Sequence, residues 1–173
     1  MSTFEPGNFE LWQRAGAVQT VPMGGIQFLD FRQKAALATA GLGSCSAVVI
    51  ASPHGVILAH IAPLPVSTQN PFAGDANVQS TMNRVVALYQ EKKRAFFPSA
   101  ETVVICAEFR GSVALPDQLA IMTGTLNQVQ LQPRAISYSV PTNPSTRDNG
   151  VVMIIKKPEY PQPKIYVQDR VVN

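Results

Sequence analysis

Two apolar runs separated by a four-residue turn limit this chain more than any other feature. Ser46-Ala47-Val48-Val49-Ile50-Ala51 and Val56-Ile57-Leu58-Ala59-His60 flank Ser52-Pro53-His54-Gly55. Short β-branched runs around a Pro/Gly turn predict a β-hairpin. A two-residue loop at Pro53-His54 sets Ala51 opposite Val56, Ala47 opposite His60 and Cys45 opposite Ala62. Side chains alternate faces along a strand, so Cys45, Ala47 and His60 share one face. Cys45 and His60 are then diagonal neighbours, about 7–8 Å apart at the backbone. A register slip of one residue would put them on opposite faces.

That pair has a defined chemistry. A thiolate is a nucleophile, and an adjacent imidazole lowers the thiol pKa and later protonates the leaving group. The turn Gly41-Leu42-Gly43-Ser44 leads into Cys45. Its glycines free the backbone to bend, and amides near Gly43, Ser44 and Cys45 are candidates for an oxyanion hole. Thr39 is the candidate for fixing the imidazole, the third role of a triad. A live site predicts a depressed Cys45 pKa and an opening for a carboxamide. The competing reading makes Cys45 a small packed hydrophobe and His60 a core histidine.

The string T-A-G-L-G-S-C-S-A-V-V-I, a following strand ending in His60, and Leu64-Pro65 just beyond resemble the core motif of the CheD-type chemoreceptor glutamine deamidases. The deamidase domain of the cytotoxic necrotizing factor toxins has a similar Cys/His arrangement. The resemblance covers residues 35–65, with a slightly shorter Cys-to-His interval and without the family's later glycine-rich blocks. It implies Cys45 as nucleophile, His60 as general base and Thr39 as the orienting residue. It also implies a layered α+β fold, a protein substrate bearing glutamine, and a thioester intermediate. Water would resolve the thioester in a deamidase and an amine in a transglutaminase. The alternative is a non-catalytic interaction module on the same scaffold.

At 173 residues, a single domain over 1–173 is expected, with 1–23 and 158–173 as peripheral segments. The net charge is only +3. The one basic cluster, Lys92-Lys93-Arg94, lacks an aromatic platform and reads as a solvated helix face, so no nucleic-acid partner is expected. Two cysteines do not make a disulfide framework. No secretory leader or membrane-length apolar run is visible, so the expectation is a cytoplasmic protein without a membrane partner. Two histidines without a Cys or carboxylate cluster predict no metal site. The glycine turn lacks the third glycine and the crossover helix of a dinucleotide fingerprint, and no cofactor is expected. His54 belongs on the exposed hairpin turn.

Strands are predicted over 26–31 and 35–39. Residues 62–75 form the longest irregular stretch, directly after His60. Val66, Ser67, Thr68, Gln69 and Asn70 are read either as a substrate rim or as a proline-rich connector. Asp75 is expected to cap a helix reaching about Phe97, with Val78, Met82, Val85, Val86 and Tyr89 as its apolar stripe. Residues 102–109 read as a central strand, with Cys106 in the core and Glu108 reaching solvent. A second helix starts at Pro116, with Leu119, Met122, Leu126 and Val129 inward. Strands over 135–140, 151–155 and 165–167 follow, the last at an edge, with a polar loop over 141–150. This order predicts an α+β fold, a mostly antiparallel sheet or sandwich covered by two main helices.

Overall fold

The computed structural model describes residues 9–140, 150–168 and 170–173. The polar loop expected over 141–150 lies outside them, apart from Gly150. The chain opens with a short helix α1 (Phe9–Arg14) and strands β1 (Val18–Thr20), β2 (Ile26–Asp30), β3 (Ala36–Thr39), β4 (Ser46–Ala51) and β5 (Gly55–Ile61). Helix α2 (Ala73–Phe96), strands β6 (Glu101–Phe109) and β7 (Ser112–Val113), and helix α3 (Pro116–Gln128) follow. Strands β8 (Arg134–Ser139), β9 (Val152–Ile155), β10 (Lys164–Val167) and β11 (Arg170–Val171) complete it. The fold is α+β, built on two mostly antiparallel sheets. One runs β1-β3-β9-β10-β11. The other runs β2-β5-β4-β6, with β7 and β8 both paired to β6. Two pairings are parallel, β1 with β3 and β6 with β8. The chain returns from β6 to β8 through α3, the long crossover that parallel neighbours require.

The unbroken apolar runs of β4 and β5 follow from burial on both faces. One face carries Ala47, Val49, Val56 and Leu58 against Leu37, Val152, Ile154 and Ile165 of the other sheet. The opposite face carries Val48, Ile50, Ile57 and Ala59 against Val78, Met82 and Val85 of α2 and Met122 and Leu126 of α3. Trp12 covers the outer face of the first sheet, over Ala36, Ala38, Met153 and Tyr166. The layers are therefore helix pair, sheet, sheet and a small outer cover.

Four details depart from the sequence expectations. Helix α2 begins at Ala73, and Phe72 stands at its cap without a side-chain hydrogen bond. Asp75 instead sits in the first turn, where its charge complements the helix dipole. The loop before it turns on itself, with Asn70 Oδ1 accepting the Phe72 N–H, and so opens the helix three residues early. The segments expected to be peripheral are built into the first sheet: Val18 and Val21 at one end, Ile165 and Val167 at the other, are all buried. Strand β10 is not an edge, because the two-residue β11 pairs with its free side. Glu108 is half-buried and accepts a hydrogen bond from Ser137 Oγ at 2.7 Å.

Candidate active site

The hairpin pairs Ala51 with Val56 and Ala47 with His60. The backbone of His60 is committed to the opposite neighbour: its N–H donates to Gly25 O and its carbonyl accepts from Gly24 N–H. Ala47 and His60 are thus a non-hydrogen-bonded pair, the kind whose side chains lie closest. Cys45 immediately precedes β4, and alternation places it on the face of Ala47, within the same buried cluster between the sheets. Across the gap, Thr39 ends β3 of the other sheet. Its Oγ1 lies 2.7 Å from His60 Nδ1.

The proton positions in this pair follow from counting donors. A threonine hydroxyl has one proton. Thr39 donates it to the Val21 carbonyl at 2.6 Å, because a carbonyl can only accept. Thr39 Oγ1 must therefore accept from His60, and the imidazole proton resides on Nδ1. Nε2 is left as a bare lone pair. It is buried and has no hydrogen-bond partner among the described residues. His60 is only 1% exposed, and burial pushes its pKa below the ordinary 6.5. The side chain is a neutral base held in one tautomer.

The glycine turn behaves as its composition suggests. Gly41 and Gly43 adopt φ of 69° and 58°, the left-handed region that only glycine enters without cost. Gly150 accepts the Leu42 N–H, and a Cβ on Gly150 would lie 2.7 Å from Leu42 N. The Cys45 amide donates to Leu42 O at 2.6 Å, so it is spent inside the turn. Of the residues considered for an oxyanion hole, Gly43 and Ser44 are exposed, and the N–H of each is without a backbone partner among the described residues. Tyr138, from β8, fastens the turn: its hydroxyl lies 2.7 Å from Cys45 O and 3.2 Å from Gly43 O. Neither Tyr138 nor the Val21 carbonyl was picked out from sequence. Tyr138→Phe is expected to cost about 1–2 kcal/mol of stability, the price of a lost buried hydrogen bond, measured as a shift in urea midpoint.

The thiol departs from the sequence expectation. Cys45 is 5% exposed, no hydrogen bond joins its sulfur to Nε2, and burial raises its pKa above 9.0 rather than depressing it. The resting pair is a neutral thiol beside a neutral imidazole, not an ion pair. Beside the turn, a cleft lined by Ser44, Ser46, Cys106 and Leu115 encloses about 10 Å³, room for one water at most. Cys106 is also buried and raised in pKa, first by burial and then by Glu108.

These shifts fix how stability varies with pH. When the chain unfolds below pH 6.5, the freed His60 takes up a proton that the folded form refuses, so stability falls as pH drops through that value. Above pH 9.0 the unfolded thiols ionise while the folded ones stay protonated, so stability falls again. Urea midpoints are expected to peak between these limits.

The candidate rim is on the surface. Val66, Ser67, Thr68, Gln69 and Asn70 are all exposed. The start of their loop is anchored, because Asn77 Nδ2 and Gln118 Nε2 donate to the carbonyls of Ala62 and Pro63. Leu64, Val66 and Phe72 of this loop are exposed, as is Met23 beside the Gly24 that bonds His60. No Lys, Arg, Asp or Glu occurs between Lys34 and Asp75, so the surround of the Cys45/His60 pair carries no formal charge over that stretch. No protein-family model matches the chain, and no curated protein matches it. Among the described residues no His, Cys, Asp or Glu cluster could hold a metal ion, and no helix is long and apolar enough to cross a membrane.

Proposed function

We propose that the protein is a CheD-like cysteine amidohydrolase that deamidates glutamine side chains on a protein substrate. The observation that carries this reading is the bare Nε2 of His60, a buried lone pair with no partner among the described residues, held by Thr39 and Val21 on the sheet face that Cys45 shares. The large majority of buried side-chain polar atoms have a hydrogen-bond partner. Cys45 Sγ attacks the carboxamide carbon as Nε2 takes the thiol proton. The resulting imidazolium protonates the departing ammonia and leaves a thioester. Nε2 then deprotonates water, which hydrolyses the thioester to glutamate and restores the thiol. An amine in place of water would give transglutamination. The thiol–imidazole hydrogen bond forms on substrate binding, since catalytic hydrogen bonds commonly tighten only in the complex.

The exposed, uncharged loop carrying Val66 to Asn70 supports a macromolecular substrate met through apolar and neutral polar contacts. Two unpaired cysteines suit a reducing compartment such as the cytoplasm. One observation favours a second reading, a non-catalytic interaction module: the pair lies almost wholly buried, Cys45 5% and His60 1% exposed. Incubation with a panel of glutamine-bearing proteins separates the two. Ammonia release with a glutamine-to-glutamate mass shift, lost in Cys45→Ser, supports the enzyme. Equal yields from both forms would remove Cys45 as the nucleophile, and none from the wild type across the panel supports the module.

A further inference from the structure

The far end of the β4–β5 hairpin carries a second feature, unconnected with the thiol. A cavity of about 560 Å³ opens beside the turn at Pro53 and His54. Its walls include two phenyl rings, Phe31 and Phe96, and four basic side chains, Arg32, His54, Lys156 and Lys157. No carboxylate lines it among the described residues. His54 and His60 lie at opposite ends of β5, about 20 Å apart at ~3.3 Å per residue.

Two of the cations are held in place. Lys156 Nζ donates to the carbonyls of Lys157 and Tyr160 at 2.8 and 2.6 Å. An ammonium has three donors, so one N–H remains. Arg32 is clamped through Nε and Nη2 on Asp30, with the shortest bond 2.7 Å. Its Nη1 edge makes no hydrogen bond among the described residues. The wall beneath is equally fixed. Phe31 N–H donates to His54 O, and Phe96 packs edge-on against Phe28 at 4.7 Å between ring centroids. Its own carbonyl accepts from Ser52 Oγ. The result is a small-molecule-sized hollow with aromatic walls and preoriented donors on a basic rim. Asp30 is neutralised by Arg32, and among the described residues no carboxylate pairs with Lys156 or with Lys157, whose ammonium lies over the Trp12 and Tyr160 rings.

We propose that this cavity binds a small organic anion with a flat apolar body, such as an aryl phosphate. The phenyl rings of Phe31 and Phe96 take the flat body, and Arg32, His54 and Lys156 take the anionic head. The site is independent of the Cys45/His60 chemistry and stands whether or not the chain is an enzyme.

The test is calorimetric titration of the full chain with 1-naphthyl phosphate, 1-naphthol and inorganic phosphate at low salt. Saturable one-to-one binding of 1-naphthyl phosphate is expected, with each of the other two at least tenfold weaker. Lys156→Gln should weaken it about tenfold, and Cys45→Ser should leave it unchanged. If Lys156→Gln lowers the melting temperature, Arg32→Gln, on an exposed side chain, carries the same test. Equal binding of 1-naphthol would remove the anionic rim from the proposal. Equal binding of phosphate would remove the aromatic walls. No saturable binding, or binding that neither variant weakens, overturns it.

Discussion

Cys45→Ser is expected to lower ammonia release from a responsive glutamine protein by about 10³-fold or more. Removal of a nucleophile that acts as a unit with its base commonly costs that much. Serine keeps the shape of the side chain, but its hydroxyl is a far weaker nucleophile at neutral pH and must be deprotonated by the same lowered-pKa imidazole. The fold should tolerate the change, because the site sits at the end of a strand and the Cys45 backbone remains held by Leu42 and Tyr138. Cys106→Ser is the matched control. Cys106 is buried too, and its sulfur lies 3.8 Å from Ile136 O. It falls on the other face of its sheet from Ile105, which is paired with Ala47, so activity should not change. A substantial loss in Cys106→Ser with none in Cys45→Ser would overturn the assignment of the nucleophile.

The second large effect is expected at Thr39. Thr39→Val preserves shape and removes the hydroxyl that sits between Val21 O and His60 Nδ1. Two buried polar groups lose their partner at once. At about 1–3 kcal/mol for each orphaned group, the variant should lose about 2–6 kcal/mol in urea unfolding. Its imidazole is also freed to move its proton to Nε2, where it can no longer accept one from the thiol. Turnover should therefore fall beyond what instability explains, and Thr39→Ser should restore both quantities. The tautomer gives a readout that packing alone would not move. The ¹⁵N shifts of His60 should report protonated Nδ1 in the wild type and a mixture in Thr39→Val. A mixture already present in the wild type would contradict the donor count.

Local chemistry explains which parts of this fold could be read in advance. The pairing of Ala47 with His60 was legible because β4 and β5 are adjacent in sequence, and their turn sets the register within a few residues. The apolar stripe of α2 was legible for the same reason, since Val78, Met82, Val85 and Tyr89 repeat at helical spacing and are all buried. Strand β1 was not. Its three residues carry no pattern, and it forms only by parallel pairing with β3, to which the chain returns after passing through the other sheet. Tyr138 was invisible because its hydrogen bond to Cys45 spans 93 positions. The Val21 carbonyl was invisible because every residue has one. The missing thiol depression has a plain cause. Sequence places an imidazole near the sulfur, but it does not say that burial will keep that imidazole uncharged.

Thr39 and His60 belong to different sheets, so their contact exists only while the two layers are docked. Gentle heating or acid can loosen side-chain packing between layers while each sheet keeps its own ladder. In such a loosened state the far-ultraviolet spectrum would look native, yet the imidazole would have lost its anchor. The chain would fall silent before it visibly melts.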